Sequence, residues 1–174
     1  MALPELATVK ENNDDKGQGR VKVAFDWQKN GKTTNWIRVQ TPNAGVSGAV
    51  PKNRGWVFVP EVGDQVMVSY EHGNPDRPYV TGSVFHSGSG KGGDKDNKVK
   101  SIITRSGNAI VFDDETGSIV ITDQTGKQLI MLDGTDAITV MAKKSITLTN
   151  EAESVIVMDD KSIGLQADTI ALEG

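Results

Sequence analysis

Apolar and polar residues alternate over several short segments in the first half of the chain. Residues 20–27 place Val21, Val23, Phe25 and Trp27 on one face, with polar or small residues between them. This period of two is typical of a strand with one buried face. Similar segments, separated by Gly, Asn, Asp and Pro residues, lie at 6–10, 36–40, 56–59, 66–70 and 79–85. The pattern predicts five or six strands in a small antiparallel barrel or sandwich, and no helix.

The second half of the chain repeats a shorter pattern, which begins at Ile102. Apolar residues two positions apart recur every seven to ten residues, and Asp, Asn, Gly and Lys fill the intervals. Such intervals are typical of turns. We therefore predict about nine short strands, one per repeat, joined by polar corners. The predicted inward residues are Ile110, Phe112, Ile119, Ile121, Leu129, Met131, Ile138, Val140, Ile146, Leu148, Val155, Val157, Ile163, Leu165, Ile170 and Leu172.

The short period indicates a β-solenoid in which each repeat adds one rung. Each rung offers only two or three apolar residues, and Phe112 is the one aromatic residue after residue 87. Such a rung supplies about one side of a triangular core, so three intertwined chains would close the core and pair their own strand edges. The residues alone leave a single-chain solenoid open as the alternative.

Composition divides the chain near residue 87. All six prolines and all three tryptophans precede this point, and residues 87–98 are rich in Gly, Ser, Lys and Asp. Residues 1–100 carry 14 basic and 11 acidic groups, whereas residues 101–174 carry 5 and 12. We therefore predict a barrel domain at 1–86, a flexible linker at 87–98 and a needle domain at 99–174.

The overall composition excludes several classes of protein. The 174 residues contain no cysteine and carry a formal net charge of −4, so neither a disulfide framework nor a general phosphate-binding role is expected. No apolar run approaches the roughly 20 residues of a membrane helix, and residues 1–12 do not resemble a secretory signal.

Three segments of the first half carry a family resemblance: 36–45 (WIRVQTPNAG), 55–70 (GWVFVPEVGDQVMVSY) and 71–82 (EHGNPDRPYVTG). They resemble the barrel domain of VgrG spike proteins of type VI secretion systems, which are similar to the central spikes of contractile phage tails. The family motif residues are Pro60, Gly63, Asp64, Gly73, Pro75, Asp76, Arg77 and Pro78. We interpret these residues as determinants of the fold, with glycines for tight turns and a surface pair between Asp76 and Arg77.

The resemblance implies an all-β fold, with an OB-fold barrel followed by an intertwined trimeric triple-stranded β-helix. It implies a homotrimer that punctures cell envelopes at the tip of a contractile injection machine, without enzymatic activity or cofactor. Expected partners are a PAAR-type tip protein at Ala171, Leu172, Glu173 and Gly174, tail tube or baseplate hub proteins at the other end, and effectors. The protein would be cytoplasmic before firing and then be secreted or injected, or would belong to a virion tail.

The chain departs from the family in length, since neither the large N-terminal hub region nor a toxin extension is visible. We therefore interpret it as the needle portion of a spike, either a fragment or a separate gene product. Two other functions compete with this one. A trimeric receptor-binding tail fibre or adhesin would end in a binding head, and a polysaccharide-degrading tail spike would need paired carboxylates in a groove.

Five motifs with possible chemistry are interpreted as structural. Residues 88–93 match G-x-G-x-x-G but lead into a predicted strand, not a helix, and a calcium loop starting at Asp94 would have Arg105 in place of its last Glu. His72 and His86 lack metal-ligand spacing. A threefold cluster of residues 113–115 could gather cations, but a solvated corner is favoured. Three tryptophans with Lys22, Lys29, Lys32 and Arg38 could stack nucleic-acid bases, but they fit a core or protomer interface better.

Overall fold

The computed structural model describes residues 1–28, 31–90, 92–159, 161–168 and 170. The chain divides into two compact units, Met1–Gly92 and Gly93–Gly174, and the boundary falls inside the predicted linker. Apart from a single 3₁₀ turn at Glu71–Gly73, the regular elements of the described residues are all strands. The prediction of an all-β fold is therefore confirmed.

The first unit is a curled five-stranded sheet with OB-fold topology. Its strands are β1 (Glu5–Glu11), β2 (Lys22–Phe25), β3 (Arg38–Val39), β6 (Gln65–Tyr70) and β7 (Pro78–Ser83), and β4 (Ala44–Gly45) pairs with β5 (Arg54–Gly55) apart from them. The sheet order is β2-β1-β6-β7-β3, with a parallel pair between β3 and β7. Two hydrogen bonds between Val21 and Ile37 join β2 to the start of β3 and close the barrel.

The core of this unit is small and aliphatic. Alternate residues of β1, β2, β6 and β7 point inward, as the period of two predicts. The buried apolar residues are Ala7, Val9, Val21, Val23, Phe25, Ile37, Val66, Val68 and Val80. Valine dominates because a narrow five-stranded barrel has little interior volume and β-branched side chains suit a pleated surface.

One expectation about the first unit is wrong, and of the two places expected for the tryptophans, core or protomer interface, the structure excludes the core. Residues 56–59 do not form a strand, and Trp56 is 51% exposed. None of the three tryptophans enters the core, because the valines already fill it: Trp27 is 64% exposed and stacks on Phe25, while Trp36 lies half-buried under the ammonium of Lys22. The apolar run at 56–59 therefore belongs to the long connection between β3 and β6; Trp56, Val57 and Phe58 are exposed, and Val59 packs half-buried against the core.

The second unit consists of one strand per repeat. The strands are β8 (Val99–Ile103), β9 (Ala109–Asp113), β10 (Ser118–Thr122), β11 (Leu129–Leu132), β12 (Ile138–Met141), β13 (Ser145–Thr149), β14 (Val155–Asp159) and β15 (Ser162–Gln166). They form two antiparallel sheets, ordered β12-β11-β10-β9-β8 and β13-β14-β15. Of the predicted ninth strand, Ile170 is in no strand and Leu172 lies outside the described residues.

Strand pairing within the second unit differs from the coil of a single-chain solenoid. Inside each sheet, successive strands reverse direction and pair with each other through hairpin corners. A solenoid coil would instead carry each strand past its predecessor in the same direction. The corners have the length and residue types of ordinary hairpin loops, and this explains why the chain folds back on itself. Pairing between chains stays a prediction.

Candidate functional site

The larger sheet of the second unit carries two rows of apolar side chains across its five strands. Directly opposed residues of an antiparallel pair share one face. One row is Ile102, Ile110, Ile121, Ile130 and Val140, and the other is Phe112, Ile119, Leu132 and Ile138 with Lys100 at its end. We call this surface the aliphatic face; its nine apolar residues come from every strand of the sheet.

The smaller sheet repeats this arrangement. Ile146 and Leu148 of β13 oppose Met158 and Ile156 of β14, which in turn oppose Ile163 and Leu165 of β15. These six residues form one face, and the opposite face carries mainly Ser, Thr, Val and Gly. The opposite face of the larger sheet is mixed instead, since it carries Val111, Val120 and Met131 as well as Ser and Thr residues.

The register moves two of the predicted inward pairs to the other face. Ile130 and Leu132 lie on the aliphatic face in place of Leu129 and Met131. Ile156 and Met158 likewise replace Val155 and Val157. Both changes fall in runs of four consecutive apolar residues, where the alternation that fixes the phase of a strand is lost, and a shift of one residue exchanges the two faces.

No described residue of the second unit is buried, in contrast to the nine buried apolar residues of the barrel. On the aliphatic face Ile138 is 72% exposed and Val140 is 50% exposed. A single sheet has no second layer against which to bury its apolar side, and such a sheet needs a partner layer for stability. The apolar surface that spans every strand of this sheet is therefore the candidate interaction site of the second unit.

The corners of the second unit share one hydrogen-bonding device. Asp123 Oδ1 accepts hydrogen bonds from the N–H groups of Lys127 and Gln128, at 3.2 and 3.1 Å. Asp133 accepts from Thr135 and Ala137 in the same way. Asp94 and Asn150 also accept backbone N–H groups four residues ahead, and Thr104 does so with its hydroxyl. Such side chains satisfy the backbone of a reversal and so fix each corner.

This device lowers the pKa of the corner aspartates. The hydroxyl of Thr125, 2.7 Å from Asp123 Oδ2, and then the backbone N–H groups hold the pKa of Asp123 below its ordinary value. Backbone N–H groups do the same for the pKa of Asp94 and of Asp133. A proton on any of these carboxylates would compete with the hydrogen bonds that the corner needs.

We expect the second unit to lose stability in acid through these corners. An unfolded chain takes up protons at these aspartates below about pH 4, before the folded chain does, so the stability that the carboxylates contribute at neutral pH falls as the pH falls through their lowered pKa. Asp123→Asn keeps an oxygen that can accept the same hydrogen bonds, as the side chain of Asn150 does in its own corner. The urea concentration at the unfolding midpoint should therefore fall less steeply in this variant as the pH decreases from about 4 to about 2. Asp168→Asn, outside the corners, is the control; an equal change in both variants would contradict the assignment.

Neighbouring corners on the same end of the larger sheet pack closely. The Oδ1 of Asn108 in the β8–β9 corner accepts the N–H of Gln124 in the β10–β11 corner at 3.1 Å. At the other end, Gly134 lies against the carbonyl of Thr116, and a Cβ built on Gly134 would lie 2.2 Å from that oxygen. The corners are therefore stacked, and at Gly134 the stack admits no side chain.

The acidic side chains of the corner at 113–115 have hydrogen-bond and ion-pair partners within the chain. Lys100 pairs with Asp114 at 2.5 Å, Lys98 pairs with Glu115 at 2.7 Å, and Asp113 accepts the N–H of Glu115. Among the described residues, no group of three or more His, Cys, Asp or Glu side chains is placed to hold a metal ion. The carboxylates of this corner therefore hold the hairpin and the start of β8.

The motif residues of the barrel fall into two turns. In the first, Pro60 is buried and accepts a hydrogen bond from the side chain of Asn12, while Gly63 has φ +99° and Asp64 Oδ2 accepts the N–H of Glu61. The backbone of Val9 bonds both to Gly63 and to Asp64. This turn therefore joins the entrance of β6 to β1.

The second turn runs from the 3₁₀ element to β7. Gly73 has φ +68°, and Pro75 and Asp76 follow it, with the N–H of Asp76 bonded to Asn74. The expected pair between Asp76 and Arg77 is not what the structure shows: the guanidinium of Arg77 lies 3.6 Å from Glu71, which also binds Arg38. Pro78 begins β7. Both turns organise the backbone.

The other sequence candidates are dispersed. His72 lies in the 3₁₀ turn, and His86 Nδ1 accepts the N–H of Gly88. No helix follows the glycines at 88–93 in the described residues. Trp27 donates its indole N–H to Glu5, and Lys32 is exposed. Lys29 and the proposed tip contacts at Ala171, Leu172, Glu173 and Gly174 lie outside the described residues.

No helix in the described part of the chain has the length and apolar character needed to cross a membrane.

Comparison with known proteins supports the resemblance. Residues 5–85 match the type VI secretion system/phage-baseplate injector OB domain. The chain is 42% identical over 73 residues to type VI secretion system spike protein VgrG1a of Pseudomonas aeruginosa and 34% identical over 111 residues to VgrG3 of Vibrio cholerae. These matches cover 40% and 58% of this chain and 10% of each relative.

A third relative carries a different name. The chain is 33% identical over 73 residues to the actin cross-linking toxin VgrG1 of Vibrio cholerae, a match that covers 40% of the chain and 6% of the toxin. The chain thus spans about a tenth or less of the length of these curated relatives. The predicted resemblance to VgrG-type spike proteins is confirmed.

Proposed function

We propose that this chain forms the collar and shaft of a VgrG-type spike, in which three copies assemble with their aliphatic faces around a common axis. The observation that carries the proposal is the pair of apolar rows across β8–β12, exposed in the single chain. Cyclic symmetry brings the same side chains of three copies together in layers, and aliphatic residues pack well around a narrow axis.

The proposed spike acts mechanically. The axial core and the hydrogen-bonded sheets make the shaft stiff, and the Asp-rich corners keep its outer surface hydrated. A contractile machine would drive this shaft through the envelope of a target cell. The role requires no chemical step, so we propose that the chain is not an enzyme and needs no cofactor.

The proposal includes partners at both ends of the shaft. Tail tube or baseplate hub proteins would hold the barrel end, and a PAAR-type tip protein would cap the end at 171–174, with effectors carried alongside. In this role the protein resides in the cytoplasm before firing, or in a virion tail, and is then delivered to the target. The names of the relatives, type VI spike proteins, support this assignment.

Native mass measurement at micromolar concentration tests the assembly. We expect three times the chain mass of 18.6 kDa, and electron microscopy should show a rod that projects from a wider collar. A stable monomer whose apolar rows are shielded from solvent would overturn the proposal.

A further inference from the structure

The β11–β12 corner contains the chain's one Asp-Gly sequence, Asp133–Gly134. In such a pair the backbone nitrogen of the glycine can attack the side-chain carboxyl carbon of the aspartate, because a glycine has no Cβ to hinder the approach. The new bond joins Gly134 N to Asp133 Cγ, the amide proton and the carboxyl OH leave as water, and a succinimide ring results. Water then opens the ring at either of its carbonyl carbons, which gives back aspartate or gives isoaspartate. The reaction needs no enzyme, oxidant or cofactor.

The folded corner holds the carboxylate of Asp133 in another arrangement. Its Oδ1 accepts the N–H of Thr135 at 2.8 Å and the N–H of Ala137 at 3.2 Å. The N–H of Asp133 in turn donates to the carbonyl of Ala137 at 3.2 Å. Ring closure would turn Cγ back onto the nitrogen of Gly134 and break this set of bonds. The corner therefore has to open before the ring can form.

The same hydrogen bonds keep the carboxyl group charged. The backbone N–H groups of Thr135 and then of Ala137 hold the pKa of Asp133 below its ordinary value. Ring closure proceeds from the neutral acid, because the oxygen of a carboxylate is a poor leaving group. At a given pH the folded corner thus offers the reactive form of Asp133 less often than an unfolded chain does.

The stack of corners leaves little room for the product of the reaction. A Cβ built on Gly134 would overlap the carbonyl of Thr116 and would lie 2.9 Å from the carbonyl carbon of Gly117. In isoaspartate the main chain runs through Cβ and Cγ of the residue, so it is one carbon atom longer, and the free carboxylate sits on Cα. The longer chain displaces Gly134 within this tight contact, and the moved carboxylate leaves the corner without its hydrogen-bond acceptor.

We propose that Asp133–Gly134 is a spontaneous isomerisation site that the folded corner protects, and that a chain with isoaspartate at this position cannot close the corner again. The reaction converts a transient opening between β11 and β12 into a permanent one. The corner aspartates Asp94 and Asp123 differ, since the Lys and Gln that follow them carry side chains that hinder the attacking nitrogen. The protection arises from contacts within one chain, so it does not depend on the proposed trimer.

Isotope labelling measures ring formation directly, because each ring that opens takes one oxygen atom from water. The full chain is incubated in heavy-oxygen water, once in native buffer and once in concentrated urea at the same pH. Trypsin then releases residues 128–143, a peptide that contains Asp133 and, as an internal reference, Asp136, which precedes an alanine. We expect label at Asp133 to appear at least about tenfold faster in urea than in native buffer. Equal rates in the two solvents would overturn the proposed protection.

Thr135→Pro tests the protecting hydrogen bond, because it removes the N–H that Asp133 Oδ1 accepts and leaves the Asp-Gly pair unchanged. In native buffer this variant should label at Asp133 about tenfold faster than the natural chain. Thr135→Ala keeps the N–H and is the matched control, which should label at the natural rate. Equal labelling of the two variants would contradict the role of this bond. Amide exchange in β9 and β10 shows whether the proline variant keeps its sheet; if it does not, the comparison between urea and native buffer decides.

Gly134→Ala identifies the attacking nitrogen. In urea, where the packing of the corners no longer acts, the new Cβ should hinder the attack and slow the labelling of Asp133 several-fold. An unchanged rate would show that the label does not arise through the nitrogen of residue 134, and would overturn the assignment of the site.

The isolated product tests whether the corner can close again. Isoaspartyl chains formed in urea are separated from aspartyl chains of the same sample by reversed-phase chromatography, identified with a protein L-isoaspartyl methyltransferase, and both fractions are refolded. We expect amide hydrogen exchange in β11 and β12 to be at least about tenfold faster in the isoaspartyl fraction. Equal protection of the two fractions would overturn the claim that isoaspartate keeps the corner open.

Discussion

Val140→Asp is expected to abolish trimer formation. Val140 ends one row of the aliphatic face and is half exposed in the single chain, where a charge at this position would remain in water. In the proposed trimer the three carboxylates would be buried near one another around the axis, and each buried, unpaired charge costs several kcal/mol. Association should therefore fall below detection at micromolar concentration in native mass spectrometry.

The neighbouring residue provides a matched control. Thr139 lies on the same strand, is exposed, and points to the opposite face in register with Met131. Thr139→Asp adds the same charge to the same strand but should leave the trimer intact, since that face stays in solvent. If both variants assembled as well as the natural chain, the aliphatic face would not be the contact between copies.

Gly134→Ala is expected to disrupt the packing of the sheet corners. Gly134 has φ +79°, where a side chain costs about 1 kcal/mol, and its new Cβ would lie 2.2 Å from the carbonyl oxygen of Thr116 and 3.0 Å from that of Gly117. Backbone atoms cannot rotate away as a side chain can, so the two corners must separate. We expect a loss of several kcal/mol and faster amide hydrogen exchange in β9–β12.

A second glycine distinguishes the clash from the conformational cost. Gly126 has φ +67° in the β10–β11 corner, and nothing lies within 4 Å of a Cβ built there. Gly126→Ala should therefore cost about 1 kcal/mol, for the left-handed backbone alone. Thermal unfolding of both variants measures the difference. Equal losses would show that the stacked corners do not constrain Gly134.

Much of the strand pattern could be predicted from the sequence. Each apolar pair between Ile102 and Leu165 marks one strand, because alternation over four or five residues between turn residues has few other interpretations. The barrel strands were predictable where one face is valine or phenylalanine and the other polar, as in β2. These features depend on local backbone preferences and on the period of the hydrophobic pattern, and both can be read directly from the sequence.

Continuous apolar runs are the places where the sequence does not fix which residues share a face. At 129–132 and 155–158 every residue is apolar, so there is no alternation of apolar and polar residues to indicate which side chains share a face. The register with the neighbouring strand decides this instead. At 56–59 the same ambiguity led to the prediction of a strand that the structure does not contain. The volume of the barrel, which valines fill, decides that Trp56, Val57 and Phe58 stay outside.

Sequence by itself determined the all-β class and the resemblance of the barrel to VgrG-type spikes, and it predicted a division into a barrel and a repeating segment. These follow from hydrophobic period, turn residues and motif spacing, which are local properties of the chain. Only the tertiary structure decided the order and closure of the barrel, the exposure of the tryptophans, the partner of Arg77 and the membership of the aliphatic face. Each of these depends on which distant strand lies alongside and in what register, and on how much interior volume the paired strands enclose.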